Sequence, residues 1–171
     1  MAKVEEQDHV DRFLESEFLE QIPNLDLTVE GIVDRIMGIS KRLKNSLEET
    51  LAEHGLSWAD WKMLGALVRK SPRSAGKLAE ITELSSGAMT NRLDRLEESG
   101  FVRRTPDPED RRGVLVELTA KGKRAYHAAA GEEAAKEALI TSALTKREKG
   151  ELNSLLRRLM VEFERREALA D

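Results

Sequence analysis

The chain has no cysteine among its 171 residues, so disulfides, thiolate zinc sites and thiol chemistry are excluded. Aromatic residues are only 4% of the total, too few to fill a thick core. No run of 18 apolar residues occurs, so nothing reads as a membrane span. The opening MAKVEEQDHV is too polar for a secretory signal, and the expected compartment is the cytoplasm. His9, His54 and His127 fall in separate helical segments without ligand spacing, so no metal is expected. Phosphate loops, nucleophile elbows and nucleotide fingerprints are also missing, and paired carboxylates such as Glu132 and Glu133 read as solvated helix surface. The expectation is a protein that is not an enzyme, with no catalytic residues and no cofactor.

Charge is abundant instead, at 35% of residues. That suits long amphipathic helices with thin cores, which complete themselves by oligomerising. The net charge of −4 is unevenly spread. Residues 71–124 hold 11 lysines and arginines against nine acids, whereas the remainder holds 17 against 23. The acidity therefore lies outside residues 71–124, and any attraction to nucleic acid depends on where the arginines stand.

Residues 71–119 organise the rest. Ala75, Leu78, Ala79 and Ile81 make a short helical pattern, and Leu84 leads into a second. Thr82 and Glu83 occupy the turn where a glycine is usual. In the second pattern Met89, Leu93 and Leu96 recur on one face. Ser85 and Ser86 are good N-caps and Gly100 a good stop, so the spacing predicts a helix over 86–99. Its other face carries Ser85, Ser86, Thr90, Asn91 and Arg95, groups that can bond base edges and phosphates. At the start of the first helix, Arg73, Ser74 and Lys77 are candidates for phosphate contacts. Residues 101–105 then read as a strand, broken by Pro106 and Pro108. A charged tip follows over 107–112, and Val114, Val116 and Leu118 alternate as a second strand. A helix pair followed by such a hairpin is a winged helix. Arginine on a thin hairpin can enter a minor groove, which makes Arg112 a candidate, with Asp110 bracing it through a charge-assisted hydrogen bond.

Long helices flank this lobe. Val10, Phe13, Leu14 and Phe18 suggest a helix over 8–20, ended by Pro23 and Asn24. Val29, Ile32, Val33, Ile36, Ile39, Leu43, Leu47 and Leu51 stripe a helix over 27–53, with Gly55 as its cap. Ser57 opens another helix, with Asp60 at the capping-box position and Trp58, Trp61, Leu64, Leu67 and Val68 on its apolar face. A helix over 121–143 carries Tyr126, and Thr145 with Glu148 form a capping box for a last helix bearing Leu152, Leu155, Leu156, Leu159 and Phe163. These apolar residues lack partners within one chain. A two-fold homodimer would bury them.

The run Asp110-Arg111-Arg112, then five residues, then Leu118-Thr119, together with AMTNRLDRLEESGFVRR at 88–104, resembles the multiple antibiotic resistance regulator (MarR) family. With the flanking helices the resemblance covers residues 27–168. It implies a mainly α fold with a small β-hairpin wing: a winged helix-turn-helix lobe at 57–119, and a helical dimerisation region at 8–54 and 120–168, in a single domain over 1–171. It also implies a homodimeric, ligand-responsive repressor on a pseudopalindrome of double-stranded DNA. The alternative reading is a winged-helix protein-interaction module without DNA binding.

A small aromatic or phenolic carboxylate is the effector the resemblance suggests, in a pocket that would use Trp58, Trp61, Arg92 and Arg104. Redox-sensing members of the family use cysteine, which is absent. Urate-sensing members carry a Trp in an extra N-terminal helix and an Asp after the Trp of the later helix. Here the first helix has no Trp and Lys62 follows Trp61, although Arg92 and Arg104 fall at the positions of that subset's arginines.

Overall fold

The computed structural model describes residues 7–16, 22, 24–108, 110 and 113–170. Its elements run α1 (His9–Leu14), α2 (Leu27–Glu53), α3 (Trp58–Arg69), β1 (Arg73–Ser74), α4 (Ala75–Thr82), α5 (Ser86–Glu98), β2 (Val102–Pro106), β3 (Val114–Leu118), α6 (Ala120–Thr141) and α7 (Lys146–Glu167). They fall into two compact units, Met1–Trp58 and Ala59–Asp171.

The first unit is a helix pair. Asp8 caps α1, accepting from the backbone N–H of Val10 at 2.8 Å and of Asp11 at 3.0 Å, and Asp11 returns the bond to the Asp8 N–H. Both carboxylates also pair with Arg35 of α2, Asp8 at 3.0 Å from its Nε. Val10 is buried, but α1 ends at Leu14 rather than running to residue 20, and Phe13 is exposed. Phe18 and Pro23 lie outside the described residues. Helix α2 has the bounds that the apolar stripe predicts. Asp26 caps its start, and Gly55 beyond its end takes φ +71°, a conformation that costs glycine little. Val29, Ile32, Val33, Ile36 and Ile39 remain exposed along it, whereas Leu51 is fully buried.

The second unit holds the winged lobe. Met63, Leu64, Ala66 and Leu67 of α3, Leu78 of α4, and Met89, Leu93 and Leu96 of α5 are buried, as are Phe101, Val102 and Val116 around the sheet. The predicted apolar face of α3 is therefore shifted: Met63 and Ala66 are inside, while Trp58 is exposed. The turn before α5 is closed by Glu83 itself, in the left-handed region at φ 56°, with its N–H directed to Ala79 and Glu80 carbonyls.

The sheet is antiparallel in the order β1-β3-β2. Strand β1, which the sequence pattern does not announce, pairs Arg73 with Val116 and Ser74 with Leu115. Strand β2 starts one residue later than predicted and includes Pro106, paired with Val114 at its end. Proline is tolerated there because β2 is an edge strand. Thr119 then caps α6, accepting from the Gly122 N–H at 3.0 Å and donating back to the Gly100 carbonyl at 2.7 Å. Thr145 and Glu148 form the expected capping box of α7. None of the residues in α7 is buried, and Leu152, Leu155, Leu156, Leu159 and Phe163 all stand open. The fold is thus mainly α with a small three-stranded sheet at the wing.

Candidate nucleic-acid interface

Helix α5 presents its polar face as its capping dictates. The Ser85 Oγ accepts from the Ala88 N–H at 3.3 Å, which fixes the start of the helix and leaves Ser86 and Gly87 in its exposed first turn. The Thr90 hydroxyl donates to the Ser86 carbonyl at 3.0 Å, so its oxygen lone pairs remain for an outside donor. Asn91 is exposed, one helical turn from Gly87, with no hydrogen-bond partner for its amide among the described residues. These groups form a contiguous donor and acceptor surface.

The arginines behave differently. Asp60 of α3, buried to 1% exposure, accepts from Arg92 Nη1 at 2.8 Å and from Arg95 Nη2 at 3.0 and 2.8 Å. Two guanidiniums of α5 are thus joined to α3 through one carboxylate. Arg104 of β2 is held by Asp94 and Glu97 of α5, with Glu97 at 2.7 Å from its Nε. The hydrogen bond from the Arg104 backbone N–H, and then that from its guanidinium, lower the Glu97 pKa, and the bonds to Asp94 and Glu97 raise that of Arg104. Sequence reasoning placed Asp60 only as a cap. The signal available was a carboxylate set among Trp58, Trp61 and Leu64, on a face otherwise apolar.

At α4, Ser74 is the N-cap and accepts from the Lys77 N–H at 3.3 Å. Lys77 pairs with Glu80 at 2.6 Å on an exposed surface. Arg73 turns inward, its Nε donating to the Ala66 carbonyl at the end of α3 at 3.1 Å. On the wing, Arg103 and Glu117 face each other across β2 and β3 and are ion-paired, which raises the Arg103 pKa. The tip closes through Asp107 N–H to the Gly113 carbonyl at 3.1 Å and Gly113 N–H to the Asp110 carbonyl at 2.8 Å. Asp110 is exposed, whereas Arg111 and Arg112 lie outside the described residues, and the expected Asp110–Arg112 brace with them.

The four residues assigned to an effector pocket have separate engagements. Trp61 stacks on Tyr126 with ring centroids 4.2 Å apart, and Gly65 makes room for that ring: a Cβ there would stand 3.2 Å from the Tyr126 hydroxyl. Arg92 belongs to Asp60, Arg104 to Asp94 and Glu97, and Trp58 is exposed. Elsewhere, a cleft of about 650 Å³ opens between α1 and α2, lined by Asp11, Leu14, Leu27, Ile32 and Arg35 among others. Among the described residues no His/Asp/Glu cluster could hold a metal, and no helix is long and apolar enough to cross a membrane.

Comparison with known proteins agrees with this fold. A family model described as MarR family matches residues 54–113. The multiple antibiotic resistance protein MarR of Escherichia coli (strain K12) is 30% identical over 125 residues, covering 71% of this chain and 85% of that protein. The crystal structure of the YusO protein from Bacillus subtilis superposes with a TM-score of 0.74 at 23% identity, over 80% of this chain and 97% of that one. A mutant of S. aureus MepR bound to an oligodeoxyribonucleotide superposes with a TM-score of 0.64 at 19% identity, over 77% of this chain and 97% of that one.

Proposed function

The chain belongs to the MarR family of transcriptional regulators, and from that premise we propose that it is a homodimeric, ligand-responsive repressor that binds double-stranded DNA in the cytoplasm and catalyses no reaction. The observation that carries the DNA reading is the face of α5. Ser86, Gly87, Thr90 and Asn91 stand exposed side by side, and Arg95 is more than half exposed beside them. A recognition helix of this kind enters the major groove, and Arg112 of the wing would enter the adjacent minor groove. Arg73, with its Nε–H given to the Ala66 carbonyl, has only its remaining N–H groups for a phosphate, and Lys77 would exchange Glu80 for one.

Assembly rests on the open apolar faces of α2, α6 and α7. Ile32, Ile36, Leu139, Ile140, Leu155 and Leu159 are exposed in the single chain, and pairing two copies buries them. Such a dimer reads inverted half-sites about one DNA turn, or roughly 10 base pairs, apart. An aromatic carboxylate effector at Trp61 has to part that ring from Tyr126 and draw an arginine from its carboxylate partner. These rearrangements would strain α5 and give the ligand a route to DNA release.

A gel shift against the DNA upstream of the chain's own gene, with sedimentation of the free protein, tests the reading. Expected are a dimer at micromolar concentration and a specific shift. On a panel of single-base variants, Asn91→Ala loses about 1–3 kcal/mol at one position per half-site, while Arg112→Ala weakens all sequences and flattens the salt dependence by about one phosphate. No shift, with affinity for another protein instead, establishes the interaction-module reading.

A further inference from the structure

We propose that Asp60 is a positioning residue for DNA readout. Its buried carboxylate holds one edge of the Arg95 guanidinium and thereby aims the other edge at an acceptor oxygen on the duplex. This inference rests on the reading of α5 as the DNA-facing helix. Three observations carry it. Both oxygens of Asp60 lie within 3.0 Å of the same nitrogen of Arg95, Nη2, so the group is gripped at one corner. The other nitrogens, Nε and Nη1, have no acceptor among the described residues, and the side chain is 57% exposed against 2% for Asp60. Arg92, one turn earlier on α5, binds the same carboxylate at 2.8 Å and is 23% exposed. Of the two guanidiniums on this carboxylate, Arg95 is the more exposed and is the one that presents its charge outward.

The physical consequence is preorganisation. A free arginine must give up several rotatable bonds when it contacts DNA. Arg95 has given up most of them in the free protein, because a buried anion of fixed position on α3 holds it. The same bond ties the rotation of α5 about its own axis to α3, and so sets the direction in which Asn91, four residues earlier on the helix, faces. Asp60 touches no DNA in this arrangement and acts through Arg95.

The test compares wild type, Asp60→Asn, Arg95→Ala and the double variant, by fluorescence anisotropy on the upstream duplex and on a scrambled duplex of equal length, at several salt concentrations. Asp60→Asn is expected to lower the ratio of specific to scrambled affinity by about tenfold or more. Scrambled affinity should hold or rise, because both guanidiniums remain and a negative charge is gone. Arg95→Ala is expected to reduce the salt slope by about one phosphate, and adding Asp60→Asn to it should cause no further loss of discrimination. A folded Asp60→Asn with unchanged discrimination overturns the proposal, as does an equal loss in the Arg95→Ala background. Should Asp60→Asn fail to fold, the wild type still decides: ¹⁵N relaxation of the Arg95 Nε–H must show a side chain far more rigid than exposed Arg124, and equal mobility overturns the proposal. A wild type that prefers neither duplex strikes the DNA reading itself, a result distinct from any of these.

Discussion

Glu97 on α5 accepts two hydrogen bonds from one residue of the wing: the Arg104 backbone N–H at 2.9 Å and the Arg104 Nε at 2.7 Å. The first satisfies a donor in the middle of β2, and the second adds charge assistance. Together they fasten the first wing strand to α5, so the position of the wing follows that of the helix.

Replacing Glu97 with Gln keeps the shape and removes the charge. Glu97 is about two-fifths exposed, so screening limits the expected loss to about 1 kcal/mol or less. The sign with pH follows from the backbone and guanidinium hydrogen bonds, which lower the folded pKa from the ordinary 4.5. The contribution is complete above that ordinary value and disappears as pH falls through the lowered folded one. Urea unfolding of wild type and Glu97→Gln should therefore differ at pH 7 and converge in acid; a constant gap across the pH range would mean that the carboxylate charge is not what matters.

Gly122 sits in the first turn of α6, where an added Cβ would stand 2.1 Å from the carbonyl oxygen of Phe101. The clash is with backbone, which cannot rotate away, and Thr119 ties the same carbonyl and the same turn together. Gly122→Ala should cost about 3 kcal/mol or more, seen as a large fall in the thermal midpoint. A variant of near wild-type stability would mean that α6 starts elsewhere in solution.

Glu83 offers the opposite change. It holds φ 56° at the end of α4, where a side chain costs roughly 1 kcal/mol relative to glycine. Glu83→Gly should therefore raise stability by a few tenths to about 1 kcal/mol, the gain being offset in part by the extra freedom of the unfolded chain. Chemical denaturation checks the sign.

What the sequence makes legible follows from how local each signal is. The bounds of α2, the Ser85 cap of α5 and the Thr145–Glu148 box depend on residues within a turn or two of one another, and periodicity and capping chemistry expose them directly. Strand β1 has two residues and therefore no period; it exists because β3, some 40 residues later, offers it a ladder. The inward turn of Arg73 depends on the Ala66 carbonyl, and the capture of Arg92 and Arg95 depends on a carboxylate about 30 residues earlier. A list of exposed cations drawn from helical phase cannot contain such tertiary partners. The spacing does identify the helix face, and Thr90 and Asn91 stand exposed on it.

Gly87 is the residue on that face with no evident use inside the protein. It is the second residue of α5, and nothing lies within 4 Å of where its Cβ would stand, so the fold itself does not demand a glycine. Glycine in a helix costs up to about 1 kcal/mol relative to alanine, less in the first turn. It lies three and four residues before Thr90 and Asn91, on the same stripe. If that stripe enters a groove, Gly87 is where the DNA backbone comes closest to the helix, and a methyl group there would push the two apart. Gly87→Ala should then stabilise the free protein by a few tenths to about 1 kcal/mol while weakening specific DNA binding by about 1–3 kcal/mol, the usual cost of forcing an extra methyl into a close contact. Thermal unfolding and anisotropy titration on the same preparation measure the two effects. Opposite signs cannot come from a damaged fold, so they locate the contact at the start of α5. A variant that gains stability and keeps full affinity would show that the DNA stays clear of Gly87.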